Sequence, residues 1–337
     1  MKHKLKNLVK TLWLLPSLSL RYFFKGVVKG KGIKHAKSTT HAILQGISHS
    51  VDTLKTLLEI EKRGTPENTL SSFHISPTNP HQTPIFSHSG NAGDIVFACL
   101  LLKSLWLHSG KKVRLHLQTN VPVVYSVKHP LNNTLMSEKV ARQLAPALQI
   151  QPYIAEITIG PEFPENGIKL DAFRQFPIDL RTGLIQGWYQ LYTEHRLNIF
   201  DPWIHATELP EYANTIVVSR TGRLRSDYID YTFLSKYADN LLFVGLPEEI
   251  ASFQVETGIT CPTLTAKSFD HLFNIINSCR LFIGNQGFPY SIAESVQCPR
   301  VLETNSIAPN NYPMSANGRV ALFQEQFENC VYSLLKI

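Results

Sequence analysis

The sequence predicts an α/β chain made of two nucleotide-binding-type folds facing each other across a cleft, preceded by a basic, partly helical extension. Three observations carry this. From about residue 84 onward, short apolar strands alternate with stretches of helical length, the pattern of parallel sheets with crossover helices. A glycine-bearing turn, Ser89-Gly-Asn-Ala-Gly-Asp94, follows the first of these strands and opens a helix. A second turn, Gly284-Asn-Gln-Gly287, takes the same position nearly two hundred residues later. Such turns set backbone N–H groups and a helix start at the carboxyl end of a parallel strand, where open α/β sheets bind anionic groups such as nucleotide phosphates.

Length and composition are consistent with this. The 337 residues leave room for two ordinary domains or one large α/β unit, and 43% hydrophobic against 18% charged residues argues against wholesale disorder. The five cysteines, Cys99, Cys261, Cys279, Cys298 and Cys330, are scattered and form no CxxC pair. An odd number at these spacings fits free thiols in a reducing compartment and speaks against a disulfide scaffold or a structural zinc site. The net charge of +7 is uneven: ten Lys/Arg and no Asp/Glu precede Thr39, whereas 23 basic and 26 acidic residues follow. The body is thus slightly acidic, and nucleic acid is not an expected partner.

The first 37 residues are lysine-rich around an apolar centre, Leu12-Trp-Leu-Leu-Pro16, then Tyr22-Phe-Phe24. This run is too short to span a bilayer, and Arg21 and Lys25 follow it where a signal peptide would carry a small-residue cleavage site. Two readings stay open: an interfacial anchor on anionic lipid, or a solvated arm packing one apolar face on the body. Helical spacing is expected over 41–63, ending at Gly64-Thr-Pro66, and a proline-bearing linker over 71–82.

The first half, 84–206, reads as a strand into the Ser89–Asp94 turn, a helix over Ile95–His108 closed by Gly110, a strand over Val113–Gln118, a helix over Ser137–Leu148 and a strand over Ile154–Ile159. Loop is expected over 161–183 and helix over Leu184–Ile199, with 207–214 as the bridge. The second half, 207–337, reads as strands at Ile216–Val218 and Leu241–Val244, helices at Tyr228–Ala238, Glu248–Glu256 and Phe269–Ser278, and then the strand, turn, helix and strand of Arg280–Glu303. The last segment, Val320–Leu335, is amphipathic and is expected to cross back onto the first half.

Three constellations are suited to chemistry. In the first turn, Gly90, Asn91 and Gly93 permit close approach to backbone, and Asp94 is either a catalytic carboxylate or a helix cap. After the strand at Ile216, Arg220, Arg223 and Arg225 surround a glycine, a set whose forked donors fit pyrophosphate. In the second turn, Gly284, Asn285, Gln286 and Gly287 offer amide donors; Glu294 on the next helix and Glu303 after the next strand are candidates for ribose or sugar hydroxyls. Alternatively, Glu303 pairs with a surface arginine such as Arg300. HExxH, Walker, GxSxG and DxD motifs are lacking and the histidines are dispersed, so no metal site is expected.

The two turns resemble glycosyltransferase family 9, the lipopolysaccharide heptosyltransferase family, whose fold is GT-B: two Rossmann-like domains facing across a cleft. Gly93-Asp94-Ile95 matches the glycine–aspartate pair opening the first helix of that family. Asn285-Gln286-Gly287, then Tyr290, Ala293-Glu294 and Pro299, occupies the place of its C-terminal turn. The resemblance covers about residues 84–330 in order and spacing and leaves out the N-terminal extension. Asn285 stands where the family usually has aspartate, Tyr290 where it has histidine, and the three arginines where it has a donor-loop lysine. One extra residue precedes Ala293.

The resemblance implies an inverting, metal-independent and cofactor-free glycosyltransferase. It would move a sugar from a nucleotide-sugar donor, ADP-heptose-like or a nucleotide hexose, to a lipid- or glycan-linked acceptor in cell-surface glycan synthesis. Asp94 would be the general base beside the acceptor. The arginine loop and the Gly284–Gly287 turn would hold the departing diphosphate. Residues 1–37 would keep the enzyme on the anionic cytoplasmic membrane face. The departures leave a second expectation: a catalytically degenerate relative that binds a nucleotide or partner at the membrane.

Overall fold

The computed structural model describes residues 83–123, 134–175, 183–266 and 268–336; the expected arm 1–37, helix 41–63 and linker 71–82 lie outside them. Both sheets belong to one compact unit, 70–174 and 179–337; of the other unit, 1–69 and 175–178, Gln175 alone is among the described residues.

The first sheet holds β1 (Ile85–His88), β2 (Val113–Gln118), β3 (Ile154–Gly160) and β4 (Ile168–Lys169), in the order β3-β2-β1-β4 with every pairing parallel. Its helices are α1 (Ala92–Ser109), α2 (Glu138–Gln149) and the short α3 (Ile185–Gln190). The second sheet holds β5 (Ile216–Ser219), β6 (Leu241–Val244), β7 (Thr263–Leu264), β8 (Leu281–Asn285), β9 (Arg300–Glu303) and β10 (Gly318–Ala321), ordered β10-β9-β8-β5-β6-β7 and again all parallel. Its helices are α4 (Pro247–Thr257), α5 (Phe269–Ser278), α6 (Phe288–Val296) and α7 (Gln324–Leu335). Counted from β5, the order is the 3-2-1-4-5-6 of doubly wound nucleotide folds, and the first sheet repeats its 3-2-1-4 portion. Strand order reverses between β1 and β4 and between β5 and β8.

The apolar runs explain these placements. Ile216-Val217-Val218 and Leu281-Phe282-Ile283 are buried at every position, as strands covered on both faces must be. Helix α1 is buried without a break from Ile95 to Leu102. It packs on α2, α3 and α6, so no amphipathic stripe survives over its first turns. Gly110 ends it in the left-handed region at φ +69°, its N–H bonding the Trp106 carbonyl at 2.8 Å. Ser137 starts α2 by accepting the Val140 N–H at 3.3 Å.

Three elements differ from expectation. The helix expected over Leu184–Ile199 stops at Gln190. The chain then folds round the Gln190 amide, which donates to the carbonyls of Thr193 and His195 at 3.0 and 2.9 Å and accepts the Leu197 N–H at 3.1 Å. In place of a helix over Tyr228–Ala238 a 3-10 helix runs over Thr232–Asn240, because the Asp230 carboxylate takes the Thr232 N–H (2.9 Å) and hydroxyl (2.6 Å) and starts the turn there. The segment Val320–Leu335 splits into β10 and α7, both on the second sheet: Phe327, Val331 and Leu334 enter the core formed by Ile216, Phe243, Leu281 and Val301. The short strands β4 and β7 were not expected, two residues being too few for a periodic signal.

Trp203 joins the two halves. Its indole N–H donates to the Val96 carbonyl on α1 (2.8 Å), its backbone N–H to the Ser295 carbonyl on α6 (2.9 Å), and its own carbonyl accepts the Tyr153 hydroxyl (2.6 Å). The ring is fully buried, with Phe97 at 6.2 Å between centroids. Replacing Trp203 by alanine removes a packed ring and an indole bond at once, and is expected to cost about 3–5 kcal/mol. Urea unfolding followed by far-UV circular dichroism measures this; a loss under about 1 kcal/mol would show that the junction is held elsewhere.

Candidate functional site

Both turns singled out in the sequence stand where a sheet reverses its strand order. At the end of β1, His88 is buried and its Nδ1 accepts the Gly90 N–H at 2.9 Å. A backbone N–H only donates, so in the neutral ring Nε2 carries the proton and donates to the Tyr189 hydroxyl (2.9 Å), which donates in turn to the Asp94 carbonyl (2.8 Å). This relay ties the turn to α3. Burial pushes the His88 pKa down, although Asp171 and Asp94 pull it the other way. A Cβ on Gly90 would stand 2.5 Å from His88 Cε1 and 2.9 Å from Arg174 Nη2, so a side chain there displaces one of them.

Asn91 caps α1, and Asp94 sits in its first turn. The Asp94 Oδ2 accepts the Asn91 N–H at 3.2 Å and pairs with Arg174; its Oδ1 takes no donor among the described residues, and the side chain keeps 23% exposure. Arg174 and Asp171 come from the segment after β4, on the other side of the reversal point. Asp171 accepts the Ser89 hydroxyl and lies 3.8 Å from Arg174 Nε. Its burial opposes ionisation, but His88, the Ser89 hydroxyl and Arg174 together outweigh that and hold its carboxyl below the ordinary value. His88, Asp171, Arg174 and Tyr189 were not among the candidate residues. Asp171 and Arg174 fall in a stretch with no strand or helix periodicity, and only their charge marked them.

In the second sheet, the loop after β5 and the turn after β8 touch. A Cβ on Gly284 would meet the Ser219 carbonyl oxygen at 2.3 Å, and one on Gly287 would meet Thr221 Cγ2 at 2.9 Å, so glycine is required for this approach. The Asn285 side chain holds the loop: its Oδ1 accepts the Thr221 N–H (2.8 Å), and its Nδ2 donates to the carbonyls of Thr221 (3.1 Å) and Arg223 (2.7 Å). Directly after Arg223, Leu224 is left-handed at φ +51°, an uncommon state for such a residue. Asn285 is therefore a loop clamp, and the Gln286 amide likewise turns inward, donating to the Ala308 carbonyl (2.6 Å) and Asn310 Oδ1 (2.8 Å).

Several expected ligand groups are committed to internal pairs. Glu303 is fully buried and takes four donors: Arg220 Nε (2.9 Å) and Nη2 (3.0 Å), the Ser226 N–H (2.6 Å) and the Tyr231 hydroxyl (2.9 Å). That saturates it, and neither ribose nor sugar reaches it. Its partner is Arg220; Arg300 lies buried against Glu294 at 2.5 Å. Glu294 also accepts the Tyr290 hydroxyl (3.3 Å) and the Met314 N–H (3.0 Å), so it too is closed to a ligand. Arg220 adds Glu256 at 3.2 Å, and Arg225 pairs with Glu256 at 2.5 Å. For the buried members, Glu303, Glu294, Arg220 and Arg300, the cause is the same: a charge cut off from water is stable only when paired. Of the three arginines, Arg223 alone has no ion pair among the described residues. Glu249, not anticipated, sits in the first turn of α4 and accepts the Leu246 N–H at 2.9 Å; burial pushes its carboxyl up.

The two turns also meet each other. A Cβ on Gly93 would lie 3.4 Å from Ser291 Oγ and 3.8 Å from Phe288 Cα, so the first turn of α1 rests against that of α6. The structure thereby gathers Asp94, the start of α6 and the arginine loop. Cavities of about 280 Å³ beside Lys103, His108, His195 and Arg196, and of about 570 Å³ beside Phe323, lie elsewhere. Among the described residues, no group of three or more His, Cys, Asp or Glu is placed to hold a metal ion.

Two outcomes are expected. Glu303→Ala strands the Arg220 guanidinium in a buried site and should cost about 3–5 kcal/mol, read by chemical denaturation; a loss below about 1 kcal/mol would mean the pair is not structural. For His88, the folded pKa lies below the unfolded value of 6.5, so the unfolded chain binds more protons below that pH. Stability should be fully present above pH 6.5 and fall as pH drops toward the folded value. The difference between wild type and His88→Asn, followed by thermal melts from pH 8 to about 5, should shrink in that window; a pH-independent difference contradicts it.

No protein-family model matches the chain, and no curated protein matches it. Among solved structures it is similar to a glycosyltransferase family 9 protein from Veillonella parvula, with 13% identity and a TM-score of 0.49 over 75% of this chain and 97% of that one. It is similar to E. coli ADP-heptose LPS heptosyltransferase II, with 11% identity and a TM-score of 0.48 over 75% and 99%. A third is E. coli heptosyltransferase WaaC with ADP, at 8% identity and a TM-score of 0.45 over 75% and 97%.

Proposed function

We propose that this chain is a glycosyltransferase that moves a sugar from a nucleotide-sugar donor to a hydroxyl acceptor by one inverting displacement, without a bound metal. The observation that carries this reading is the contact between the first turns of α1 and α6. It sets a part-exposed carboxylate, Asp94, beside a glycine turn that opens a helix at the reversal point of a doubly wound sheet. The acceptor hydroxyl attacks the anomeric carbon while the bond to the diphosphate breaks, and its proton passes to Asp94 Oδ1. Arg174 occupies Oδ2 and keeps the carboxylate turned toward the acceptor. The positive end of the α6 dipole and the Arg223 guanidinium balance the charge that develops on the leaving diphosphate.

The acceptor in this reading is lipid- or glycan-linked, and the basic segment 1–37 holds the enzyme on the inner, anionic face of the cytoplasmic membrane during surface-glycan synthesis. A second reading, a nucleotide- or partner-binding module without turnover, draws support from the engagement of Arg220, Arg225, Glu294 and Glu303 in internal pairs.

A thermal-shift panel of ADP, UDP and GDP, with and without EDTA, addresses both. One diphosphate should raise the melting temperature equally in either condition, and Arg223→Ala should weaken its binding about tenfold. Asp94→Asn should keep that shift and lose sugar transfer to background. Absence of any shift sinks both nucleotide readings, and full turnover in Asp94→Asn removes the carboxylate from the mechanism.

A further inference from the structure

The segment Asn305–Tyr312, which follows β9, runs between the two halves and is fastened to each. On the first half, the Ile185 N–H donates to the Asn310 carbonyl at 3.1 Å and Gln186 Nε2 to the Tyr312 carbonyl at 3.5 Å. On the second, Gln286 Nε2 donates to the Ala308 carbonyl and to Asn310 Oδ1, and Asn305 Nδ2 donates to the Arg225 carbonyl at 2.7 Å. The strap therefore lies between α3, which touches Asp94 through Tyr189, and the turn that opens α6.

Round this strap three carboxamide oxygens are buried with no donor among the described residues: Gln286 Oε1, Gln186 Oε1 and Asn311 Oδ1. The two glutamines are each only 3% exposed. Buried amide oxygens normally find a hydrogen-bond donor, and leaving one unmet costs stability. Three around one segment is a concentration, and their chemistry is uniform: each is a neutral acceptor. A group rich in O–H donors and without charge matches them, which is the character of a sugar ring.

We propose that these three carboxamides form the subsite for the hydroxyls of the transferred sugar, and that the strap 305–312 shifts to admit it. The position agrees with the chemistry. A sugar in transfer stands between its acceptor base and its leaving diphosphate, and the strap lies between α3, whose Tyr189 bonds the Asp94 carbonyl, and the turn that carries Gly287. The inference rests on the nucleotide-sugar reading above and adds where the sugar is recognised and by which groups.

Calorimetric titration tests it, using ADP with ADP-glucose, UDP with UDP-glucose and GDP with GDP-mannose. In the wild type, one sugar conjugate should bind more tightly than its own diphosphate. Gln186→Leu, remote from the diphosphate turn, should leave diphosphate affinity in place and reduce the sugar's added affinity about tenfold. Gln286→Leu, on the opposite wall, should reduce the same increment, and it serves if the first variant does not fold. An increment unchanged in both variants overturns the subsite and assigns those oxygens to ordered water. Equal weakening of diphosphate and conjugate also overturns it, as does a wild type that binds each conjugate no better than its diphosphate; in these cases the nucleotide reading stands. If no diphosphate binds the wild type, the nucleotide reading itself fails and the subsite falls with it.

Discussion

The contact of α1 with α6 is the constraint on which the remaining geometry depends. Each helix follows the first strand on one side of a strand-order reversal, so each begins at the place where its sheet presents a binding crevice. Gly93 allows the two first turns to approach within van der Waals reach of Ser291 and Phe288, and Trp203 fills the space behind them while bonding one backbone carbonyl on each helix. The indole is well suited to this because it joins a large apolar face to a single donor that must be satisfied when buried. Were the helices apart, the carboxylate of one half and the anion-favouring turn of the other would be two unrelated features.

Most charged residues at the carboxyl edge of the second sheet pair with one another. Glu303 gathers Arg220, Ser226 and Tyr231 and so folds the arginine loop over the end of β9; Glu294 and Arg300 lock α6 to the start of the same strand. These pairs are buried and fully bonded, the condition under which ionised groups are tolerated away from water. What they leave without an internal ion pair among the described residues is modest: of the three arginines, Arg223 alone. The second sheet thus presents a glycine turn and a helix start rather than a dense cationic cluster, in keeping with the slightly acidic body of the chain.

Legibility in the sequence followed the length of the signal. Strands such as Ile216–Val218 and Leu281–Ile283, and helices with well-placed caps such as Ser137 and Gly110, were readable because local pattern and local chemistry agree there. The two glycine turns were readable for the same reason. The helix past Gln190 and the one expected from Tyr228 failed because a single side chain, Gln190 or Asp230, bonded the backbone differently from what periodicity alone implies. Arg174 and Asp171 escaped notice because β4 is two residues long and the carboxylate they serve lies about eighty residues away.

By itself, the sequence determined that the chain alternates strand and helix, where its glycine turns fall, and that its positive charge is concentrated before Thr39. Those properties depend on residues near one another along the chain, where pattern and steric demand act directly. Tertiary structure alone decided which charges are saturated inside the fold and which keep exposure. Glu303 and Arg220 stand 83 positions apart, Asp94 and Arg174 80 apart, and nothing local distinguishes a carboxylate that will be saturated by a buried arginine from one left with an open oxygen. That choice is made by desolvation, which acts only once distant segments close over a group and either supply its partner or leave it facing water.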